Sequence, residues 1–266
     1  MNHVSTAKVT LHNGEQMPVL GLGAFEIEGN VSDAVLNAIR IGYRLIDTAA
    51  MYRNEAGVGD GVRRAVEQGL VKREDVFVTT KVWTTELGYD KTMAAFERSY
   101  RELGLDVVDL YLIHWPGTEE ENIGSWKALI ELQKQGSVRN IGVSNFAQNH
   151  LQTIIEQTGV VPVVNQVEYH PSRSRRELHR HCRELGIQLQ AWGPLGKGKL
   201  VSDPLFAEIG KTYNKTPAQV ILRWVIQNGV ITIPKSSREE RMRENADIFD
   251  FELSAEDMER IDALDR

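Results

Sequence analysis

Within YRLIDTAAMYRNE, residues 43–55, an apolar run ends in an acid, Asp47, and a phenol, Tyr52, follows five positions later. Farther along, VFVTTKV carries Lys81 near its end and VVDLYLIHW carries His114. Acid, phenol, ammonium and imidazole together form a set able to move a proton. A phenol alone is a poor acid near neutrality, with a pKa of about 10. An ammonium ~4 Å away contributes roughly 4 kcal/mol at an effective dielectric near 20, and lowering a pKa by about two units takes ~2.7 kcal/mol. Lys81 is therefore expected to lower the Tyr52 pKa. A buried lysine tends to lose its own proton, and Asp47 is the partner that would prevent it. His114 suits a hydrogen-bond donor that orients a substrate oxygen beside the phenol. Such a set delivers a proton to a carbonyl oxygen. Hydride has to come from a cofactor, because no side chain supplies one.

These residues need elements that bring them to one place. Short β-branched runs recur at residues 19–24, 44–49, 76–82, 107–115, 138–145, 163–170, 187–195 and 230–236. Each is nearly continuous in apolar residues, as parallel strands covered on both faces are. Helical periodicity fills the intervals, for example KTMAAFERSYREL and TPAQVILRWVIQNG, and several of these stretches stop at Gly. The longest interval, before the eighth run, has room for two helices. Asn13-Gly14 predicts a short hairpin ahead of the first run. Eight βα units in a chain of this length predict an α/β fold of the (β/α)₈ TIM-barrel type, with residues 1–266 as one domain. A doubly wound open sheet is the alternative. In a barrel the chemistry lies at the C-terminal strand ends, and these ends carry Asp47, Lys81, His114, Ser144 with Asn145, Gln166 with Glu168, Trp192, and Lys235 with Ser236. Singly, Asp47 also suits a loop cap, Tyr52 a rim aromatic, Lys81 a surface charge and His114 a packed histidine. Together, at neighbouring strand ends, they point to chemistry.

Bulk properties narrow the classes further. A formal charge of −6 disfavours nucleic acid as a partner, since phosphate backbones are held by basic surfaces. No apolar run reaches the roughly 18 residues of a membrane helix, and the N-terminus does not read as a signal peptide. The single Cys182 lies in a helical pattern, LHRHCRELG, reads as a packed residue and fits a reducing cytoplasm. Gly21-x-Gly23 lacks the third glycine of a dinucleotide fingerprint, and GPLGKGKL has Leu200 where a P-loop needs Ser or Thr. No spacing suggests a metal site.

The motifs GYRLIDTAAMYRNEAGVG, LYLIHWP, IGVSNF, VNQVEYHP and IPKSSREERMREN span nearly the whole chain in order. In them the sequence resembles the aldo-keto reductases, in particular bacterial members of the 2,5-diketo-D-gluconate reductase and glyoxal or methylglyoxal reductase type. The resemblance implies NADPH-dependent reduction of small aldehydes, dicarbonyls or keto-sugar acids by a cytoplasmic monomer. It assigns Tyr52 as general acid, with Asp47, Lys81 and His114 completing a tetrad. It places Ser144, Asn145 and Gln166 on the nicotinamide carboxamide and Trp192 on the ring. Gly193 and Leu195 extend the cofactor-contacting set; Lys235, Ser236 and Arg241 match contacts to the adenosine 2'-phosphate, with Glu244 and Asn245 beside the adenine. Independently, the KSSREERMR cluster supplies cations suited to a phosphate, although Glu239 and Glu240 would partly neutralise it and a plain solvated helix start reads similarly. By position, Phe25, Met51, Trp83 and Trp115 would line a substrate pocket with His114.

Two departures stand out. Most relatives have Tyr-Ser where this chain has Trp192-Gly193, which removes one hydroxyl suited to the pyrophosphate. The chain ends at ALDR without the tail that closes over substrate in many relatives, so either the site is more open or a tail lies outside this sequence. The short loop after His114 also leads us to expect an open pocket. An alternative of another class keeps the barrel and holds NADPH as a redox-sensing subunit with little turnover. A metal-dependent barrel isomerase or hydrolase fits poorly, because the strand ends lack a carboxylate and histidine cage.

Overall fold

A computed structural model describes residues 4, 6–27 and 29–265. The chain opens with an antiparallel hairpin, β1 (Lys8–Thr10) and β2 (Gln16–Pro18), whose turn holds Gly14 at φ +89°. Eight parallel strands follow in sequence order: β3 (Leu22–Gly23), β4 (Leu45–Asp47), β5 (Phe77–Val82), β6 (Val108–Ile113), β7 (Val138–Ser144), β8 (Val164–Glu168), β9 (Gln188–Trp192) and β10 (Ile231–Thr232). Bridges Leu20–Thr232 and Gly23–Lys235 join the last strand to the first, so the sheet closes into the (β/α)₈ barrel.

The seam is the thinnest part of that wall. The runs read at 19–24 and 230–236 form only two-residue strands at its centre. Pro234 has no N–H to donate, which cuts the ladder short on β10, and its carbonyl instead accepts from the Gly23 N–H at 3.2 Å. Gly23 is required there, because a Cβ would lie 2.8 Å from the Ile233 carbonyl oxygen.

The strand pleat sorts side chains by alternation. Ile46, Val78, Val82, Tyr111, Ile113 and Val143 face outward and pack with helical residues such as Val35, Ile39, Val62, Phe96, Trp126 and Trp224. Leu45, Phe77, Leu110, Leu112, Val164 and Ile231 form a second, inner cluster, which Leu11 and Met17 of the hairpin cover. The hairpin therefore stoppers the N-terminal end of the barrel. Asn13 fixes it there by donating to Asn140 Oδ1 at 2.7 Å.

Helices α1 (Val31–Ile41), α2 (Glu55–Glu67), α3 (Tyr89–Leu103), α4 (Glu119–Lys134), α5 (Gln148–Thr158) and α6 (Arg176–Glu184) each follow a strand, and α7 (Pro204–Tyr213) and α8 (Pro217–Gln227) fill the long interval before β10. α9 (Glu239–Ala246) and α10 (Ala255–Asp262) complete the chain. Five of these starts carry side-chain caps: Asn30, Thr118, Asp203, Thr216 and Ser254 each accept a first-turn N–H. Among the described residues no helix is long and apolar enough to cross a membrane.

Candidate active site

At the end opposite the hairpin, Asp47, Tyr52, Lys81 and His114 come together. Asp47 and Lys81 point inward from adjacent strands, and Tyr52 ends a short 3₁₀ turn, Ala50–Tyr52. That turn is fixed in two ways. Arg53 adopts a left-handed conformation, φ +55°, which reverses the chain after the phenol. Asn54 then accepts from Thr48 Oγ1 at 2.5 Å and donates to the Ala24 carbonyl at 2.9 Å, tying the loop to the barrel rim.

Lys81 has no solvent-exposed surface, yet each of its three ammonium protons has an acceptor. Nζ lies 2.6 Å from Asp47 Oδ1, 2.8 Å from the Thr48 carbonyl oxygen and 3.5 Å from the Tyr52 hydroxyl. Burial pushes its pKa down, but the charges and hydrogen bonds of Asp47 and Tyr52 outweigh that, and the net direction is up. Lys81 is a cation at neutral pH. Burial pushes the Asp47 carboxyl up, and the Lys81 ammonium and the Gln166 amide pull it back only in part.

Tyr52 departs from the sequence expectation. Burial raises its pKa, and Asp47 adds to the rise, so the lowering by Lys81 does not win. The Lys81 charge does lower the phenol's pKa, but the desolvation of a half-buried phenol, which no sequence pattern shows, is the larger effect. The resting phenol is therefore protonated, the state a proton donor needs. His114 is pushed down to about 2, by burial first and by the Lys81 charge second. It is a neutral imidazole, set edge-on to Tyr52 at 5.6 Å and to Trp83 at 5.0 Å between ring centroids, with a buried Nδ1 that has no partner among the described residues.

The residues expected to line a pocket surround this centre. Phe25 packs on Tyr52 at 4.9 Å, and Trp115 lies 6.5 Å from Trp192. Phe25, Met51 and Trp115 account for three of the five large hydrophobics left exposed among the described residues.

Ser144, Asn145, Gln166 and Trp192 form a continuous network beside the tetrad. Asn145 donates from Nδ2 to Ser144 Oγ and to the His114 carbonyl, both at 3.0 Å, and accepts from Trp192 Nε1 at 2.9 Å. Its left-handed backbone, φ +61°, is a conformation asparagine tolerates better than most residues. Ser144 donates to the Gln166 carbonyl at 2.8 Å. Gln166 Nε2 reaches back to Asp47 Oδ2 at 2.6 Å and to Gln190 Oε1 at 3.0 Å. Gln190 was not among the residues singled out from sequence. Gly193, at φ +61°, starts the turn that carries the half-buried Leu195.

The cationic cluster gathers at the start of α9. Glu239 is taken by Arg243 at 2.6 Å, whereas Lys235, Arg238 and Arg241 are exposed with no carboxylate partner among the described residues. Glu240 is likewise exposed with no cation partner among the described residues, so it still partly neutralises the three cations. Ser236 caps the neighbouring turn by accepting from the Arg238 N–H at 3.1 Å. Glu244 accepts from Thr216 Oγ1 at 2.6 Å, and Asn245 is buried beside it. Three unpaired cations at an uncapped helix N-terminus suit a phosphate.

Residues 19–266 match the aldo/keto reductase family. The chain is 52% identical over 260 residues to the glyoxal reductase of Bacillus subtilis, covering 97% of this chain and 92% of that protein. It is 42% identical over 261 residues to the methylglyoxal reductase DkgA of Yersinia pestis, covering 97% and 92%. Its structure superimposes on the Bombyx mori aldo-keto reductase solved in complex with NADP with a TM-score of 0.91, at 34% identity over 97% of this chain and 92% of that one.

Proposed function

The chain belongs to the aldo/keto reductase family and is an NADP(H)-dependent oxidoreductase; from that premise we propose that it reduces small aldehydes and ketones to alcohols, with Tyr52 as general acid. The observation that carries the reading is the position of Lys81 Nζ, between Asp47 Oδ1 and the Tyr52 hydroxyl. Bound NADPH supplies the hydride.

The chain's own residues handle the proton. A carbonyl oxygen hydrogen-bonded by Tyr52 and the neutral His114 is oriented for proton transfer. Tyr52 gives up its proton as charge develops on that oxygen, and the phenolate left behind faces the Lys81 ammonium. At 3.5 Å and an effective dielectric near 20 this attraction is roughly 5 kcal/mol. It acts where charge develops, so the interaction favours the transition state over the resting phenol. Asp47 keeps Lys81 charged throughout.

For the cofactor, Ser144, Asn145 and Gln166 would take the nicotinamide carboxamide, with Trp192 beside the ring. Gly193 and Leu195 would flank the pyrophosphate. Lys235, Ser236 and Arg241 would hold the 2'-phosphate, and Glu244 and Asn245 the adenine. The apolar rim of Phe25, Met51, Trp83 and Trp115 would receive the substrate. The names of the Bacillus and Yersinia relatives favour glyoxal and methylglyoxal as substrates, and 2,5-diketo-D-gluconate is a third candidate.

The test is NADPH consumption against these dicarbonyls, simple aldehydes and 2,5-diketo-D-gluconate, with Tyr52→Phe alongside. The variant is expected to lose at least ~10²-fold in kcat, the usual share of a positioned general acid, while still binding NADPH. A wild-type protein that binds NADPH tightly and reduces none of the panel would refute the enzyme reading in favour of a redox-sensing module.

A further inference from the structure

The Gln166 amide leads to an assignment for a residue outside the proposed site. Its Nε2 carries two hydrogens, and both are committed: one to Asp47 Oδ2 at 2.6 Å, the other to Gln190 Oε1 at 3.0 Å. The direction of these bonds is forced. An ionised carboxylate only accepts, so Asp47 requires the NH₂ end of Gln166, and that NH₂ end in turn requires the oxygen of Gln190. The alternative orientation of either amide would set oxygen against oxygen or NH₂ against NH₂. Gln190 gives up something for this arrangement. Its side chain is fully buried, and its own Nε2 is left with no partner among the described residues. An unpaired buried amide nitrogen is costly, so the orientation of Gln190 answers the need of Gln166 and not its own.

We propose that Gln190 is a positioning residue which, by capping the second N–H of Gln166, turns that amide into an acceptor-only group toward the cofactor. Gln166 then offers a single uncommitted atom, Oε1. Asn145 is in a similar condition, since both hydrogens of its Nδ2 go to the Ser144 hydroxyl and the His114 carbonyl. The site is thereby biased toward a ligand group that brings its own N–H donors, which a nicotinamide carboxamide does. This inference rests on the proposed contact between Gln166 and the carboxamide.

The experiment compares NADP⁺ with its 3-acetylpyridine analogue, in which a methyl ketone replaces the carboxamide and removes its N–H₂. Binding is measured directly by calorimetry on the protein, with no turnover required. Wild type is expected to prefer NADP⁺ by about tenfold or more, because the analogue leaves a desolvated acceptor unpaired. Gln190→Met keeps the length of the side chain and removes the acceptor, which frees one Gln166 N–H to donate. Its preference is expected to shrink to about threefold or less, with weaker NADP⁺ binding. Gln190→Glu keeps an oxygen facing Gln166 and should restore the preference.

Stability separates positioning from packing. Gln190→Met exchanges one orphaned buried N–H₂ for one orphaned N–H, so its melting temperature should stay within about 3 °C of wild type. An unchanged preference in Gln190→Met overturns the assignment. So does failure of that variant to fold, or a Glu variant that discriminates no better than the Met variant. Gln166→Leu serves as the control for the premise: a Gln166→Leu protein that still prefers NADP⁺ as strongly as wild type would sink the contact between Gln166 and the carboxamide, whereas a lost preference there beside an unchanged one in Gln190→Met would overturn the Gln190 assignment alone.

Discussion

Replacing Lys81 with methionine leaves Asp47 as an unpaired charge in the barrel interior, where Gln166 Nε2 is its one remaining side-chain donor among the described residues. Breaking a buried pair from one side costs about 3–5 kcal/mol, whereas replacing both partners by neutral groups is close to neutral. The variant has one escape, which is to protonate Asp47. Starting from an ordinary carboxyl pKa of about 3.9, protonation costs ~1.4 kcal/mol per pH unit, hence no more than ~1.5 kcal/mol at pH 5 and ~5.6 kcal/mol at pH 8. The sign follows from the causes acting on Asp47: burial raises its pKa and Lys81 lowers it, so removing Lys81 raises it further. A raised carboxyl favours the fold below its unfolded pKa, and that advantage drains away as pH rises to the folded value. The penalty for Lys81→Met should therefore be small at pH 5 and reach about 3–5 kcal/mol by pH 8. With an unfolding entropy near 2.1 cal/mol/K per residue, that is a fall of roughly 5–9 °C for a chain of 266 residues. Urea unfolding at pH 5, 6.5 and 8, with Asp47→Asn/Lys81→Met as partner, measures it. A penalty that does not vary with pH, or a double variant as unstable as the single one, would refute the account of a charged pair sustained by Asp47.

Two further outcomes follow from groups outside the tetrad. Arg241→Ala should raise the KM for NADPH by about 10- to 100-fold, the equivalent of a lost charge-assisted bond of ~1.5–3 kcal/mol, and raise that for NADH much less; equal effects on the two coenzymes would exclude a 2'-phosphate contact. Glu55 is buried behind β5, where Thr80 and Ser99 donate to it, and burial raises its pKa above the usual value. Stability held by the neutral carboxyl is lost as pH rises through that folded value, so Glu55→Gln should gain on wild type between pH 5 and 8, at no more than about 1.4 kcal/mol per pH unit, and a urea midpoint difference that moves the other way would contradict this.

Much of the arrangement was legible because parallel strands in a barrel read as apolar runs that stop where the chemistry starts. Asp47 and Lys81 could be paired from sequence since adjacent strands bring their ends together. The direction of the Tyr52 shift could not, because it depends on how far the rim aromatics and the 3₁₀ turn cover the phenol. Phe25, packed on Tyr52 at 4.9 Å, supplies cover that no local pattern announces. Strand limits at the seam were overestimated, as Pro234 ends a ladder that its apolar neighbours would otherwise extend. Gln190 was missed although a signal existed. In QLQAW, Gln188, Gln190 and Trp192 alternate, so placing Trp192 inward places Gln190 inward too. Arg238 was overshadowed by the run of charges around it, and only the pairing of Glu239 with Arg243 shows which cations are left over.

The thread from Lys81 through Asp47 to Gln166 also bears on how the barrel assembles. Asp47 and Lys81 are 34 residues apart on neighbouring strands, so their pair can form as soon as β4 and β5 meet. Gln166 is 119 residues from Asp47 and arrives only with β8, from across the interior. The two oxygens of one carboxylate therefore join a contact between neighbouring strands to one that spans the barrel. The one acid that keeps the lysine charged thus ties the first half of the barrel to the second through its two oxygens, one bonded within the neighbouring strands and the other across the interior.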